Sequence, residues 1–189
     1  MSLILASQSP RRKQLLELLR VPFTVRVADI DETLDTHCPI PDAVARLSLR
    51  KAQAIPRDPE DTVIAADTIV VCDSYILGKP EDKESAFKML AMLSGRTHQV
   101  MTGVTVLKGD RCESFTEITH VRFRDLTARE IRDYIATGEP MDKAGSYGIQ
   151  GYAALFVEGI DGDYYNVMGL PVCRLGETLR KMVPGILED

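Results

Sequence analysis

The sequence predicts an α/β fold: a mixed, twisted sheet with flanking helices. Three observations carry that prediction. Short apolar runs alternate with segments of helical periodicity through the first half of the chain. Val63-Ile64-Ala65-Ala66 is a continuous apolar run, the pattern of a strand buried on both faces, as in a parallel sheet. The second half is richer in paired strand signals separated by turn residues.

In order along the chain, Leu3 to Ala6 reads as a strand and Arg11 to Leu19 as a helix, with Leu15, Leu16, Leu18 and Leu19 on one face. Phe23 to Val27 alternates and reads as a strand. Pro41 to Ile55 carries Val44, Leu47, Ala52 and Ile55 at helical spacing. The strand at Val63–Ala66 resumes as Ile69-Val70-Val71-Cys72 beyond Asp67-Thr68. Lys83 to Leu93 reads as a helix stopped by Gly95. His98 to Leu107 and Cys112 to Phe123 flank the turn Lys108-Gly109-Asp110-Arg111 as a hairpin. Thr127-Ala128-Arg129-Glu130 is a capping box that opens a helix running to Gly138. Ala154 to Ile160 and Tyr164 to Val167 flank Asp161-Gly162 as a second hairpin. Pro171 to Met182 closes the chain as a helix. No linker demands two independent domains, so 1–189 is expected to be one domain, with room for two lobes around a cleft.

Composition narrows the function classes. A chain of 189 residues with 44% hydrophobic and 27% charged residues is ordinary for a globular protein with a sizeable core. Its net charge of −5 argues against a general nucleic-acid binder, which needs basic excess to neutralise phosphates. No run approaches the ~18 apolar residues of a membrane span. Cys38, Cys72, Cys112 and Cys173 have no metal-type spacing, which reads as reduced thiols in a cytoplasmic protein.

The first chemical signal is Ser9-Pro10-Arg11-Arg12-Lys13. Ser before Pro is an N-cap followed by a first helical residue. Three cations then crowd the positive end of the helix dipole, an arrangement that is stabilised when an anion answers it. A basic pocket in an acidic protein points to a small, highly charged ligand. The second signal is Asp67, which interrupts the most apolar stretch of the chain. A carboxylate there is costly without a partner. If the strand ends or bulges at this point, Asp67 projects into a cleft as a metal ligand or general base. Asp29, Asp31, Glu32 and Asp35 form an acidic cluster suited to a hard divalent cation. Lys79, between Gly78 and Pro80, is placed on a constrained loop as a point charge for phosphate, and Lys51 is a cation on a helix. The stretch Asp142 to Gly151 is glycine-rich without being a Walker loop. His37, His98 and His120 suggest neither zinc nor a serine-type triad, and His98 and His120 take structural roles.

Taken together, Leu5-Ala6-Ser7-Gln8-Ser9-Pro10-Arg11-Arg12, Asp31-Glu32, Lys51-Ala52, Ala66-Asp67-Thr68, Gly78-Lys79-Pro80, Leu93-Ser94-Gly95, Asp142-Lys143-Ala144-Gly145, Tyr147 to Gly151 and Gly169-Leu170-Pro171 resemble the Maf family of nucleoside triphosphate pyrophosphatases. The segments occur in family order and span nearly the whole chain. The resemblance implies an elongated α/β fold with a cleft, a homodimer, and hydrolysis of a nucleoside triphosphate to the monophosphate and pyrophosphate with a divalent metal, Mg2+ or Mn2+. It makes Asp67 the proton acceptor that activates water and places Glu32 with it at the metal. It assigns Ser9, Arg12, Lys51 and Lys79 to the triphosphate. Arg12, Thr68 and Gln150 match the dTTP- and UTP-preferring branch. A branch preferring 7-methyl-GTP typically has an aromatic residue at the position of Arg11, Gln at that of Thr68 and Glu at that of Gln150. An uncharged Gln offers a donor and an acceptor, which suits the O4 and N3–H edge of uracil or thymine. Three further readings stay open: a non-catalytic nucleotide-binding regulator of cell division or DNA surveillance, an enzyme of the same family with the other substrate preference or broader action on modified nucleotides, and a phosphatase releasing single phosphates. Neither nucleic acid nor a membrane is expected as a partner.

Overall fold

A computed structural model describes residues 2–35 and 37–187. Its centre is a seven-stranded mixed sheet ordered β2-β1-β3-β5-β6-β7, with β4 paired to β3 off that path. The strands are β1 (Leu3–Leu5), β2 (Phe23–Val25), β3 (Thr62–Cys72), β4 (Tyr75–Leu77), β5 (Thr97–Lys108), β6 (Arg111–Phe123) and β7 (Val157–Asp161). β1 runs parallel to both neighbours, with Leu3 opposite Phe23 on one side and Thr62 on the other. β4 and β7 are antiparallel to β3 and β6. All three residues of β1 are buried, which is why it reads as an unbroken apolar run rather than an alternating one. The helices are α1 (Pro10–Glu17), α2 (Ile40–Gln53), α3 (Lys83–Leu93), α4 (Ala128–Ala136), α5 (Tyr164–Met168) and α6 (Val172–Met182). The chain divides into two compact units, and β3, β5 and β6 each contribute residues to both.

Unit 1 comprises Met1–Asp67, Thr102–Glu117 and Gly169–Asp189. Part of its core is Ile4, Ala6, Ala52, Ile55, Val63, Ala65 and Leu107. Helix α2 lies so close to β5 that a Cβ at Gly103 would collide with the Val44 carbonyl, so only glycine permits this approach. A hydroxyl chain continues the contact from buried Ser48 and Thr105 out to the exposed Ser114, with Ser48 Oγ 2.7 Å from Thr105 Oγ1 and Thr105 Oγ1 2.7 Å from Ser114 Oγ. Helix α6 buries Leu175, Leu179 and Met182 at helical spacing. The Arg111 guanidinium donates to the carbonyls of Met182 and Lys181, satisfying acceptors that the helix end leaves open.

Unit 2 comprises Thr68–Met101 and Ile118–Met168. Its core gathers Leu90, Leu93, Val121, Phe123, Ile131, Tyr134, Tyr147 and Phe156 among others. Helices α3 and α4 pack together, and each begins with a capping box, Asp82 with Ser85 and Thr127 with Glu130.

Several sequence expectations need correction. The second hairpin does not form. Residues Tyr152–Leu155 make a 3-10 turn, only Val157–Asp161 is a strand, and Tyr164–Met168 is helical. Asp163 turns the chain into α5 because its carboxylate accepts the Tyr165 N–H at 2.7 Å. The turn brings Asn166 inside, where its amide donates to Val100 O at 3.1 Å and Thr119 Oγ1 at 2.9 Å. The strand expected over Phe23–Val27 ends at Val25. Leu18 does not join the buried face of the first helix, being 56% exposed beyond its last turn. The strand containing Asp67 does not end there, as β3 runs through it from Thr62 to Cys72.

Candidate active site

The link from β1 to α1 folds as the Ser-Pro pair dictates. Ser9 is extended at φ −63°, ψ 118°, and its hydroxyl accepts the Arg12 N–H at 3.4 Å. Proline follows as the first helical residue, and no acidic residue occupies the first turn. The positive helix end is therefore reinforced by Arg11, Arg12 and Lys13. Arg12 folds back over this link. Its Nε donates to the Gly169 carbonyl at 2.8 Å and its Nη1 to Ser7 Oγ at 3.3 Å. Ser7 Oγ also accepts the Ser9 N–H at 3.2 Å. Burial lowers the Arg12 pKa, the charge of Asp67 counters that effect, Arg11 adds to it and Glu32 again counters it. Ser7 and Gly169 lie within the motif segments, yet no property of the sequence marks them as the partners that aim Arg12.

Lys51, near the end of α2, is the hub of the second group. Its ammonium lies 2.6 Å from Asp67 Oδ1 and 2.8 Å from Glu32 Oε1. The Lys51 and Asp67 side chains are 14% and 15% exposed, whereas Glu32 is 63% exposed and reaches in from solvent. This arrangement explains how an acid sits in an apolar strand. Asp67 is tolerated because a sheltered ammonium pairs with it, not because the strand stops. Unit 1 thus brings together five of the predicted residues, Ser9, Arg12, Glu32, Lys51 and Asp67.

Glu32 and Asp67 also supply two hard oxygen donors at one point. Among the described residues no three His, Cys, Asp or Glu side chains gather as a metal cluster. Two carboxylates suffice for a small divalent cation that completes its shell with water and phosphate oxygens, so the donor set fits one.

Thr68 follows Asp67 in β3 and is half-buried at the start of unit 2. Lys79 and Gln150 are exposed members of that unit. The loop carrying Lys79 is tied to the glycine-rich segment, since Gly145 N–H donates to Gly78 O at 3.0 Å. Gly145 has φ +67°, and a Cβ there would meet the Val70 side chain at 2.8 Å, so glycine is required twice over. Gln150 is the third residue of a turn closed by Gly151 N–H donating to Gly148 O at 3.0 Å. His98 is buried, with Nε2 2.7 Å from Tyr147 Oη, and His120 Nε2 lies 3.0 Å from Gln99 Nε2. His98 thus belongs to the interior of unit 2, whereas His120 is exposed. The four cysteines are free.

A mixed α/β chain whose first helix opens on arginines, and whose sheltered lysine gathers two carboxylates, has the equipment of a phosphate-handling protein. The profile of Maf-like proteins matches residues 2–182, and the chain belongs to that family. It is 51% identical over 183 residues to a dTTP/UTP pyrophosphatase of Bacillus cytotoxicus, covering 96% of each chain. It is 49% identical over 180 residues to a dTTP/UTP pyrophosphatase of Bacillus cereus strain B4264, covering 95% of this chain and 94% of that one. Among solved structures, a HAM1 protein from Coxiella burnetii superposes with a TM-score of 0.54 at 13% identity, over 96% of this chain and 99% of that one, a likeness of fold alone. No helix among the described residues is long and apolar enough to cross a membrane.

Proposed function

We propose that the chain is a nucleoside triphosphate pyrophosphatase that converts dTTP and UTP to their monophosphates and pyrophosphate. The observation that carries the reading is the Lys51 ammonium held between Glu32 and Asp67. It sets the Asp67 carboxylate in a sheltered strand beside a cation, within one group that can meet both water and phosphate. Near-identity of length and about half of all positions shared with the two dTTP/UTP pyrophosphatases support the substrate class.

In this reading water attacks the α-phosphorus, a new P–O bond forms, the bond from that phosphorus to the bridging oxygen breaks, and pyrophosphate departs. Asp67 orients the water and takes its proton. Ser9, Arg12, Lys51 and Lys79 bind phosphate oxygens and offset the charge that gathers on the leaving group. Glu32 and Asp67 would hold a divalent cation, Mg2+ or Mn2+, whose chemistry is charge neutralisation on the triphosphate. Thr68 and Gln150 serve substrate binding, Gln150 by matching the O4 and N3–H edge of the pyrimidine. Residues 1–189 act as one domain, and the enzyme works as a cytoplasmic homodimer without nucleic acid or membrane as a partner.

A panel of nucleoside triphosphates with added magnesium or manganese, scored separately for pyrophosphate and orthophosphate, tests the reading. Pyrophosphate from UTP and dTTP, abolished by chelation, is expected. Orthophosphate as the sole primary product overturns the reaction class. Tight nucleotide binding with no turnover overturns the enzyme in favour of a regulator.

A further inference from the structure

Gln150 sits in a loop with glycines at 145, 148 and 151, a composition that by itself leaves the backbone free to wander. The structure pins this loop on both sides of Gln150. Glu139, at the start of the 3-10 segment Glu139–Asp142, splits its carboxylate between two donors. Its Oε1 accepts from Tyr134 Oη at 2.9 Å, and its Oε2 accepts the Tyr152 backbone N–H at 3.0 Å. Tyr134 Oη in turn accepts the Gly148 N–H at 3.2 Å. One carboxylate therefore grips the loop two residues after Gln150 directly, and two residues before it through a buried phenol.

The loop sequence is shaped around that carboxylate. A Cβ at Gly151 would collide with both Glu139 carboxylate oxygens. A Cβ at Gly148 would meet Lys143 Cε at 2.7 Å, and Lys143 Nζ donates to the Glu139 carbonyl at 2.6 Å. Tyr134 is buried in the core of unit 2, so the clamp is anchored to a rigid element, and burial together with the Glu139 contact raises its phenol pKa.

We propose that Glu139, acting with Tyr134, is a positioning residue for pyrimidine selection: it holds the turn that presents Gln150. The inference rests on the proposed activity and deepens it. Glu139 needs no contact with the nucleotide. Its carboxylate supplies two acceptors for two donors, which a glutamine cannot do. In Glu139→Gln the amide oxygen can serve only one of the two donors: when it takes the Tyr152 N–H, the amide N–H2 competes with the Gly148 N–H for Tyr134 Oη and the phenol proton loses its acceptor, so the grip on one side of the loop weakens.

The test compares wild type, Glu139→Gln, Tyr134→Phe and Gln150→Ala, and the Glu139→Gln/Gln150→Ala double variant, with UTP and GTP. For Glu139→Gln the expected result is an approximately tenfold loss of UTP-over-GTP selectivity, expressed in KM more than in kcat, with faster hydrogen exchange at the Gly148 and Tyr152 amides. Tyr134→Phe should move the same way and carries the test if Glu139→Gln fails to fold. The decisive arm is the double variant. If Glu139 acts through Gln150, its substitution adds nothing to the selectivity already lost in Gln150→Ala. Additive losses, or unchanged selectivity in a folded single variant, overturn the clamp. A wild-type protein inert toward UTP overturns the proposed activity instead.

Discussion

The two compact units are organised by different forces. Unit 1 concentrates formal charge. Arg12 is aimed by Ser7 and Gly169, and Lys51 is shared by Glu32 and Asp67. Unit 2 arranges its glycine-rich loop with neutral and singly charged hydrogen bonds around Tyr134, Glu139 and Lys143, over an aromatic core of Phe123, Tyr147 and Phe156. Charge attracts a polyanion with little demand on direction, whereas reading a base edge depends on donor and acceptor angles. The difference teaches that, in the proposed reading, a tolerant grip on phosphate and an exacting grip on a base draw on different residue types.

The largest expected effect tests the charged unit. Asp67→Asn keeps size and removes the proposed proton acceptor, and turnover of UTP should fall by about 10²-fold or more. Nucleotide binding should survive, because Arg12 and Lys51 keep their charges. Steady-state turnover with parallel binding measurements checks this, and near-normal turnover in a folded Asp67→Asn protein would assign the base to another residue.

The next effect tests the loop. With Gln150 reading the base edge as proposed, Gln150→Glu would set two acceptors against each other at the pyrimidine O4, and kcat/KM for UTP and dTTP should drop by roughly one to two decades relative to GTP. Arg12→Ala is its counterpart, weakening all nucleotides to a similar degree. A substrate ranking left unchanged by Gln150→Glu would remove this glutamine from base reading.

A third comparison uses acid. Burial holds the His98 imidazole down at about 4, against 6.5 for the free group. The reason is visible in the fold: Nδ1 is buried with no hydrogen-bond partner among the described residues, and the ring meets Phe123 and Tyr147 edge-on. A folded pKa below the unfolded one means that the unfolded chain takes up the proton first. The contribution is complete above pH 6.5 and is lost as pH falls toward 4. In unit 1, the Ser2 hydrogen bonds hold the Asp61 carboxyl below its usual 3.8, so its contribution persists to lower pH. Hydrogen exchange between pH 7 and 4 should therefore show unit 2 loosening first, and His98→Gln should flatten that dependence. Loosening of unit 1 at the higher pH would contradict the assignment.

The smallest effect concerns helix starts. Both α3 and α4 in unit 2 carry reciprocal capping boxes, while α2 and α6 in unit 1 begin without a side-chain cap. Thr127→Ala should cost about 1 kcal/mol in a denaturation midpoint without altering substrate preference.

Much of this was legible in the residues. The Ser9-Pro10 cap, the Thr127–Glu130 box, the buried run through Val63–Ala66 and the hairpin of β5 and β6 all follow from neighbours within a few positions. Asp67 was legible as an anomaly, a charge in an apolar run, but its resolution was not. Nothing near it in sequence reveals that Lys51, 16 positions earlier, pairs with it, and the expected strand end proved unnecessary. The segment after Asp161-Gly162 misled for a similar reason. Tyr164 to Val167 has strand-like composition, but a cap from Asp163 and a buried place for Asn166 turn it into helix. Glu139 drew no notice, since an acid between glycine and proline looks like a solvated turn until Tyr134 and Tyr152 are brought to it.

By itself the sequence determined the α/β class, the helix boundaries that carry their own caps, and the arginine-rich opening of α1. Those features depend on backbone torsions and hydrogen bonds between residues three or four apart, which local chemistry encodes. Tertiary structure alone decided that Lys51 gathers Glu32 and Asp67, that Ser7 and Gly169 aim Arg12, and that Glu139 spans the loop of Gln150. A carboxylate or guanidinium finds its partner only when distant segments pack, and the energy of that pairing depends on how much water the packing leaves behind.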